Sequence, residues 1–110
     1  MTQDPAQNVA ETVTFKLAPD IAVDQFITLM KITADFVQNN PGFVFRRRSV
    51  GTDGRWTDTV VWSDMDTAKS AAAAFPKQDF APAVMAAINP ETVQMRHEFI
   101  HWTLFPNPRT

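Results

Sequence analysis

Cysteine is absent from this chain of 110 residues. Without thiols there is no disulfide framework, no thiolate nucleophile and no cysteine-ligated metal site. Only two histidines are present and the carboxylates are not clustered, so we expect no metal centre. The chain also lacks a glycine-rich phosphate loop, a dinucleotide-binding fingerprint and a recognisable Ser/His/Asp arrangement, and we therefore expect no cofactor.

An excess of positive charge is missing as well. Ten Lys and Arg residues stand against twelve Asp and Glu, which leaves a net charge of -2 and no basic surface for nucleic acid or an anionic membrane. The polar N-terminus has no apolar signal segment, and no stretch approaches the ~20 apolar residues of a membrane span. We expect a cytoplasmic protein that binds neither nucleic acid nor membrane.

What the chain does contain is enough apolar residues for one folded domain, since 45% of its residues are hydrophobic. We expect a flexible segment over residues 1–8, a single domain over residues 9–105 and a tail over residues 106–110.

The segment from residue 42 to residue 62 predicts a β-hairpin. Its turn signal is the sequence of residues 51–54, Gly-Thr-Asp-Gly, with glycines that permit positive φ angles. If Val50 and Arg55 close the loop, Arg47 lies opposite Asp58. In that register, one face of the hairpin carries aromatic and aliphatic side chains with this charged pair set among them, namely Phe43, Phe45, Val60 and Trp62.

Hydrophobic periodicity predicts the remaining elements. The alternation of Val13, Phe15 and Leu17 indicates a first strand within residues 9–17. Apolar residues at three- and four-residue steps indicate a helix that Asp20 caps and that ends before Pro41. The other predicted elements are a second helix up to residue 75 capped by Ser63 and Asp66, a short helix over residues 80–88 and a last strand over residues 93–105.

The resulting order βαββαβ predicts an α+β, ferredoxin-like fold: a four-stranded antiparallel sheet of order 4-1-3-2 with helices on one face. Its uncovered face would carry side chains too apolar to face water, and we expect a second copy of the chain to cover it. The residues predicted on that face are Thr14, Val44, Val61, Ile100, Trp102 and Leu104.

Over roughly residues 9–102 the chain resembles the antibiotic biosynthesis monooxygenase (ABM)-like family of dimeric α+β barrel proteins. The resemblance rests on Pro41-Gly42-Phe43 after the first helix, Asp53-Gly54 in the turn, and Val60-Val61-Trp62-Ser63 before the second helix. It implies a homodimer in which two sheets face each other, with a small-molecule pocket between the sheet and helices of each subunit. Members of the family include cofactor-independent oxygenases, heme-degrading enzymes and proteins of unassigned role, so the family fixes fold better than function.

Two branches of the family can be compared at single positions. Quinone-acting oxygenases carry an Asn-x-x-x-Trp pattern on the third strand, where this chain has Asp58-Thr-Val-Val-Trp62, and the tyrosine that follows in such enzymes falls on Ala68. The heme-degrading branch uses an asparagine, a tryptophan and a histidine near the positions of Val13, Ala71 and Val84. This chain has neither the asparagine, nor the tryptophan, nor the histidine at those positions, which disfavours heme degradation.

Each candidate site residue has a structural and a functional interpretation. Arg47 and Asp58 would either fix the hairpin register or act in a pocket, where Arg47 binds an anion and Asp58 acts as a base. His97 is either a hydrogen-bonded core residue or a general acid/base, the role favoured by an ordinary histidine pKa of about 6.5. Trp62 is either an aromatic pocket wall or part of the core.

These residues predict a small protein that binds an aromatic, anionic molecule and oxygenates it without a cofactor. The predicted catalytic residues are Asp58 and His97. The predicted substrate-binding residues are Arg47, Trp62, Phe45, Phe15 and Phe99. The alternatives are a non-catalytic dimeric binding or structural protein and a catabolic isomerase or decarboxylase that uses the same pocket.

Overall fold

Residues 7–107 are described by the structure, a computed structural model, so parts of the two predicted terminal segments, residues 1–6 and 108–110, lie outside the described residues. Four strands form one antiparallel sheet in the order β2-β3-β1-β4, which is the predicted order and confirms the ferredoxin-like α+β fold. The elements are β1 Val9–Phe15, α1 Val23–Gln38, β2 Phe43–Val50, β3 Trp56–Trp62, α2 Met65–Ala74, α3 Ala81–Ala87 and β4 Gln94–Phe99. Single 3-10 turns at Phe75–Lys77 and Pro90–Thr92 precede α3 and β4. No helix within residues 7–107 is long and apolar enough to cross a membrane.

The helix caps differ from those predicted. Asp20 does not cap α1, because the helix begins three residues later, after Ala22, and Asp20 itself adopts a left-handed φ of 70°. In α2 the cap is Asp64 rather than Ser63, and its carboxylate accepts a hydrogen bond of 2.7 Å from the backbone N–H of Thr67. Both are local corrections that leave the element order unchanged.

The hairpin of β2 and β3 has a different register from the predicted one. Val50 pairs with Trp56 rather than Arg55, so the loop has five residues, and of its two glycines only Gly54 has a positive φ. The ladder regains the expected pairing at Phe43 and Trp62 through a bulge between Phe43 and Phe45. Because side chains alternate along a strand, the one-residue shift moves those of β2 between Phe45 and Val50 to the opposite face.

Entry into β2 depends on Gly42, which has a φ of 87°. A Cβ at this position would lie 2.5 Å from the hydroxyl oxygen of Ser63 and 2.9 Å from a methyl carbon of Thr67. Only glycine combines the left-handed backbone with this close approach. The chain is thereby tied to the start of α2, where the backbone N–H of Ser63 donates to the carbonyl of Gly42 at 2.7 Å.

The helices cover one face of the sheet and divide its core into two apolar clusters. The first, between α2 and one end of the sheet, is built on Val9, Val60, Trp62 and Ala68; the second, between α1, α3 and the other end, is built on Phe15, Phe26, Trp56 and Val84. Aromatic rings meet edge to face within the second cluster, where the centroids of Phe26 and Trp56 are 4.9 Å apart.

The predicted last strand is too long. Strand β4 ends at Phe99, which pairs with the first residue of β1, Val9. One further backbone hydrogen bond joins Ile100 to Asn8, and the chain then leaves the sheet. The segment that follows carries three large apolar side chains exposed to 74–77%, those of Trp102, Leu104 and Phe105.

Candidate functional site

The register correction changes which arginines reach the helix-covered face. Arg46 and Arg48 point under α1, whereas Arg47 is exposed on the opposite face. The predicted pair of Arg47 with Asp58 is therefore wrong, because the shift of one residue places Arg48 opposite Asp58 and turns Arg47 away. An ion pair at Asp58 does exist, but its partners are the two neighbouring arginines.

Asp58 holds these arginines by several contacts. Arg46 donates from Nε to Oδ1 at 3.0 Å and from Nη2 to Oδ2 at 2.7 Å, a two-pronged geometry that fixes the guanidinium plane. Arg48 approaches Oδ2 at 3.5 Å. A third donor of Arg46, Nη1, reaches the hydroxyl of the fully buried Thr33 on α1 at 2.9 Å. The helix thus lies directly over this ion pair.

A second acid and base pair lies on the other half of the sheet. Glu11 on β1 and His97 on β4 are register partners, and the distance from Glu11 Oε2 to His97 Nε2 is 2.8 Å. Both side chains are largely buried, with exposed fractions of 11% and 19%. On β4 the neighbouring residues of the same face, Met95 and Phe99, are exposed to 52% and 42%.

The two pairs form one polar belt across the sheet. We define the belt as His97, Glu11, Asp58, Arg46 and Arg48. Its two acids lie on the adjacent strands β1 and β3, and its bases lie on the outer strands β4 and β2. Strands are about 4.8 Å apart, so the backbones of β2 and β4, which carry the bases, are three spacings or roughly 14 Å apart. The belt lies between the two apolar clusters of the core.

Burial and charge act on the belt in different directions. Desolvation raises the pKa of Glu11 above its ordinary value, and the nearby carboxylate of Asp58 adds to that rise, while His97 and Arg46 oppose it. Desolvation lowers the pKa of the Arg48 guanidinium, and Arg46 lowers it further, although Asp58 opposes both effects. The belt thus holds charges in a partly water-excluded region, where interactions are stronger than at the surface.

A groove beside α1 opens onto the arginine end of the belt. It has a volume of about 360 Å³, and Met30, Val37 and Phe43 contribute apolar walls. Its charged lining residues are all basic, namely Lys31, Arg46 and Arg48. The Nε of Arg48 is buried and has no hydrogen-bond partner among the described residues. A larger groove, about 520 Å³ between α1 and α3, has no charged residue in its lining.

The predicted substrate-binding residues are not brought together. Phe15 and Trp62 are buried in different apolar clusters, exposed to 2% and 1%. Phe45 is exposed, and the register correction turns it to the face opposite that predicted. Phe99 is exposed near His97 on β4. Trp62 keeps one unusual feature, since its indole N–H is buried and has no hydrogen-bond partner among residues 7–107.

Sequence reasoning missed Glu11 and Thr33. Glu11 is in phase with Val9, Val13 and Phe15 along β1, so a charged residue lies within a buried alternation, and this signal is readable in the sequence. Thr33 gives a weaker signal, a threonine within the apolar stripe of α1. Within the described part of the chain, no group of three or more His, Cys, Asp or Glu side chains could hold a metal ion.

Comparison with known proteins identifies relatives by structure. The chain is similar to SnoaB, a cofactor-independent oxygenase from Streptomyces nogalater, with a TM-score of 0.74 and 25% identity over 90% of this chain and 98% of that one. It is also similar to a protein from Bordetella bronchiseptica that is provisionally assigned to the antibiotic biosynthesis monooxygenases, with a TM-score of 0.73 and 16% identity over 87% and 99% of the two chains. A protein from Chloroflexus aurantiacus with the same provisional assignment matches at a TM-score of 0.65 and 13% identity over 89% and 97% of the two chains. No family model and no curated protein matches the sequence.

Proposed function

Since this chain belongs to the antibiotic biosynthesis monooxygenase-like family, we propose that it is a cofactor-independent monooxygenase acting on an aromatic, anionic small molecule. The observation that carries the proposal is the basic, apolar-walled groove beside α1 in a fold that matches SnoaB along nearly its whole length. Apolar walls suit an aromatic ring system, and convergent arginines suit a carboxylate or phenolate.

In this proposal, Arg46 and Arg48 hold the substrate anion. Asp58 neutralises only part of the charge of two arginines, and Lys31 adds a third cation at the groove. The buried Nε of Arg48 supplies a donor that a ligand oxygen can satisfy, and leaving such a donor unsatisfied is costly. Asp58 then orients the guanidinium groups and is not free to act as a base, which changes the role predicted for it.

The chemistry follows from the absence of an electron-carrying cofactor in the proposed reaction. The substrate itself must supply the electrons, so it must react as an electron-rich anion such as a phenolate. Oxygenation of a phenol at the position para to its hydroxyl balances as one phenol plus one O₂, giving one quinone plus one water. The two hydrogens of the water come from the hydroxyl and from the ring carbon that is oxygenated.

The same fold supports the proposal that the working unit is a homodimer formed through the open sheet face. Phe45 lies on that face and is 46% exposed, and the apolar segment after β4 is free to contact a second copy. Sedimentation measurements should give a dimer for the wild-type chain, and Phe45→Asp should shift it to monomer. A wild-type monomer at all accessible concentrations would contradict this.

The function is tested with a panel of quinols and phenolic acids. Saturable binding and O₂ uptake are measured for the wild-type chain and for two matched variants, Arg48→Gln and Arg47→Gln. We expect Arg48→Gln to weaken binding of anionic phenols about tenfold or more, since a charge-assisted hydrogen bond of roughly 1.5–3 kcal/mol is lost. Arg47→Gln should behave as wild type. The proposal fails if no compound in the panel shows saturable binding or O₂ uptake.

One alternative has a specific observation in its favour. His97 is not among the described residues that line the arginine groove, and Trp62 and Phe15 fill the core, which would suit a protein that binds an anion without transforming it. Saturable binding that depends on Arg48, with no O₂ uptake and no change in the ligand after prolonged incubation in air, would favour this binding function.

A further inference from the structure

The pair formed by Glu11 and His97 is largely buried, as the ion pairs of Asp58 are, and its two residues face each other directly across β1 and β4. By contrast, the pair of Arg96 and Glu98 on the same outer strand is exposed to 70% and 56%, with its closest atoms 3.5 Å apart. A buried glutamate is costly to ionise, and a strand that pairs correctly does not need one.

The hydrogen bond to Glu11 uses only one nitrogen of the imidazole. Among residues 7–107, the ring of His97 makes one side-chain hydrogen bond, from Nε2. A carboxylate at that nitrogen favours the tautomer that carries the proton on Nε2, which leaves the lone pair on Nδ1 as a proton acceptor. Exposed side chains of Met95 and Phe99 flank the ring on the same strand face and provide an apolar surface next to it.

We infer that His97 is the proton acceptor of the proposed oxygenase and that Glu11 is a positioning residue that fixes its tautomer. This inference rests on the proposed function. The substrate hydroxyl gives its proton to Nδ1 of His97 and keeps the electron pair as a phenolate. The pair changes from neutral imidazole and carboxylate to imidazolium and carboxylate, so Glu11 balances the charge that develops. The proton later leaves with the water that is released.

The belt explains why this task falls to His97 and not to Asp58. Asp58 contacts two arginines, so its carboxylate oxygens are already engaged in ion pairs. The groups that act on Glu11 are His97 from β4, Asp58 from β3 and Arg46 from β2. The raised pKa of Glu11 means that acid converts it to the neutral acid before an ordinary surface glutamate would be protonated. A protonated Glu11 can donate to Nε2, which would move the ring proton to Nδ1 and block proton uptake.

The inference also bears on substrate size. One end of the belt offers the arginines on β2 and the other offers His97 on β4, and the backbones of these two outer strands are roughly 14 Å apart. A substrate that contacts both ends needs an anionic group and a hydroxyl group on opposite sides of its ring system. A hydroxynaphthoate with its hydroxyl and carboxylate on different rings, and with a free position para to the hydroxyl, is therefore a suitable probe.

The first experiment measures the tautomer without any substrate. Because the chain has only two histidines, nitrogen NMR of histidine-labelled protein separates the ring of His97 from that of His101, which a His101→Gln variant assigns. We expect the neutral ring of His97 to carry its proton on Nε2 in the wild-type chain and in Glu11→Gln, whose amide oxygen still accepts a hydrogen bond. In Glu11→Leu we expect a mixture of both tautomers. A wild-type ring that is mixed or protonated on Nδ1 overturns the inference.

The second experiment measures O₂ uptake with the hydroxynaphthoate. We expect His97→Gln to lower kcat about 100-fold or more, the range of a general base, with KM changed less than kcat. Glu11→Leu should lower kcat at least about tenfold because the imidazolium that forms loses the carboxylate that balances its charge. His101→Gln should match wild type.

If wild type turns the probe over and both His97→Gln and Glu11→Leu keep full kcat, the inference is wrong and the proposed function stands. If neither wild type nor any variant reacts, while NMR still shows the ring proton of His97 on Nε2, the proposed function fails and Glu11 still positions His97.

Discussion

The two ends of the polar belt have similar chemistry and different surroundings. At the arginine end, Asp58 is fixed by Arg46 and Arg48, and Thr33 of α1 closes the site from above. At the histidine end, the pair of Glu11 and His97 lies on the side of the outer strand β4, next to exposed apolar side chains. Groups that must hold an anion are rigid and multiply bonded, whereas a group that must exchange a proton has one partner and some access. This difference favours our proposal that one end binds the anion and the other accepts the proton.

The largest expected effect is the loss of stability when the ion pairs of Asp58 at the arginine end are removed. Asp58→Ala leaves two partly buried arginines without their carboxylate, and we expect a loss of about 3 kcal/mol in the free energy of unfolding. The matched control is Glu98→Ala, which removes the acid of an exposed pair and should cost less than about 1 kcal/mol. Urea unfolding at neutral pH measures both. Equal losses in the two variants would mean that burial of the Asp58 pair is unimportant.

The next effect separates the three consecutive arginines. Arg46→Met removes the two-pronged bond to Asp58 and the bond to Thr33, and we expect a loss of about 2 kcal/mol. Arg47→Met should change the free energy of unfolding by less than about 0.5 kcal/mol, because its side chain is exposed. The same urea experiment applies. A larger loss in Arg47→Met than in Arg46→Met would indicate the register that the sequence first predicted.

A third effect concerns Gly42 at the entrance of the hairpin. Gly42→Ala forces a left-handed alanine against Ser63 and Thr67, and we expect a loss of about 2 kcal/mol. Gly51→Ala should be milder, since the only atom within 3 Å of its Cβ would be a side-chain oxygen of Asp53, which can move. Thermal unfolding compares the two. If Gly51→Ala is the more harmful, the close approach at Gly42 is not the reason for the glycine.

The smallest effect is a pH dependence at the histidine end. Since the fold raises the pKa of Glu11, the folded chain binds more protons than the unfolded chain between the ordinary glutamate pKa, about 4.3, and the raised value. Stability from this group therefore falls as pH rises through that window, by no more than about 1.4 kcal/mol per pH unit. Glu11→Gln should remove this contribution.

A related variant tests the direction of the coupling. His97 opposes the rise in the pKa of Glu11 by its hydrogen bond and charge, so His97→Phe should raise that pKa further. Carbon NMR of the Glu11 carboxyl group measures the midpoint directly. A lower midpoint in His97→Phe than in wild type would contradict the assigned pairing.

Much of the fold was predictable because periodicity and turn residues report it locally. The alternation of Val13 and Phe15 located β1, and the Asn-Asn-Pro-Gly sequence located the end of α1. The last strand was overextended because its alternation continues to Phe105, while its partner strand starts at Val9. A strand needs a neighbour for its hydrogen bonds, and the sequence of a strand does not show how long its neighbour is.

The site was less predictable, and a one-residue difference in the register of the hairpin accounts for most of the error. The hairpin loop has five residues rather than four, and the bulge between Phe43 and Phe45 absorbs the difference. Both sides of β2 carry apolar and basic side chains, so the pattern does not choose between the two registers. Asp58 and His97 were correctly expected near the helix-covered face. Their partners Arg46, Arg48 and Glu11 became apparent only once the register was known.

The most direct test of the account is to map where an aromatic anion binds. The hydroxynaphthoate is titrated into nitrogen-labelled protein without O₂, and backbone amide shifts are followed. We predict saturable shifts at the amides of Thr33, Arg46, Arg48 and Glu11, no shift at that of Arg47, and saturation at a concentration about tenfold higher or more in Arg48→Gln. Shifts confined to Phe45, Arg47 and the other residues of the open face, or no saturable shifts, would contradict the belt as the binding site.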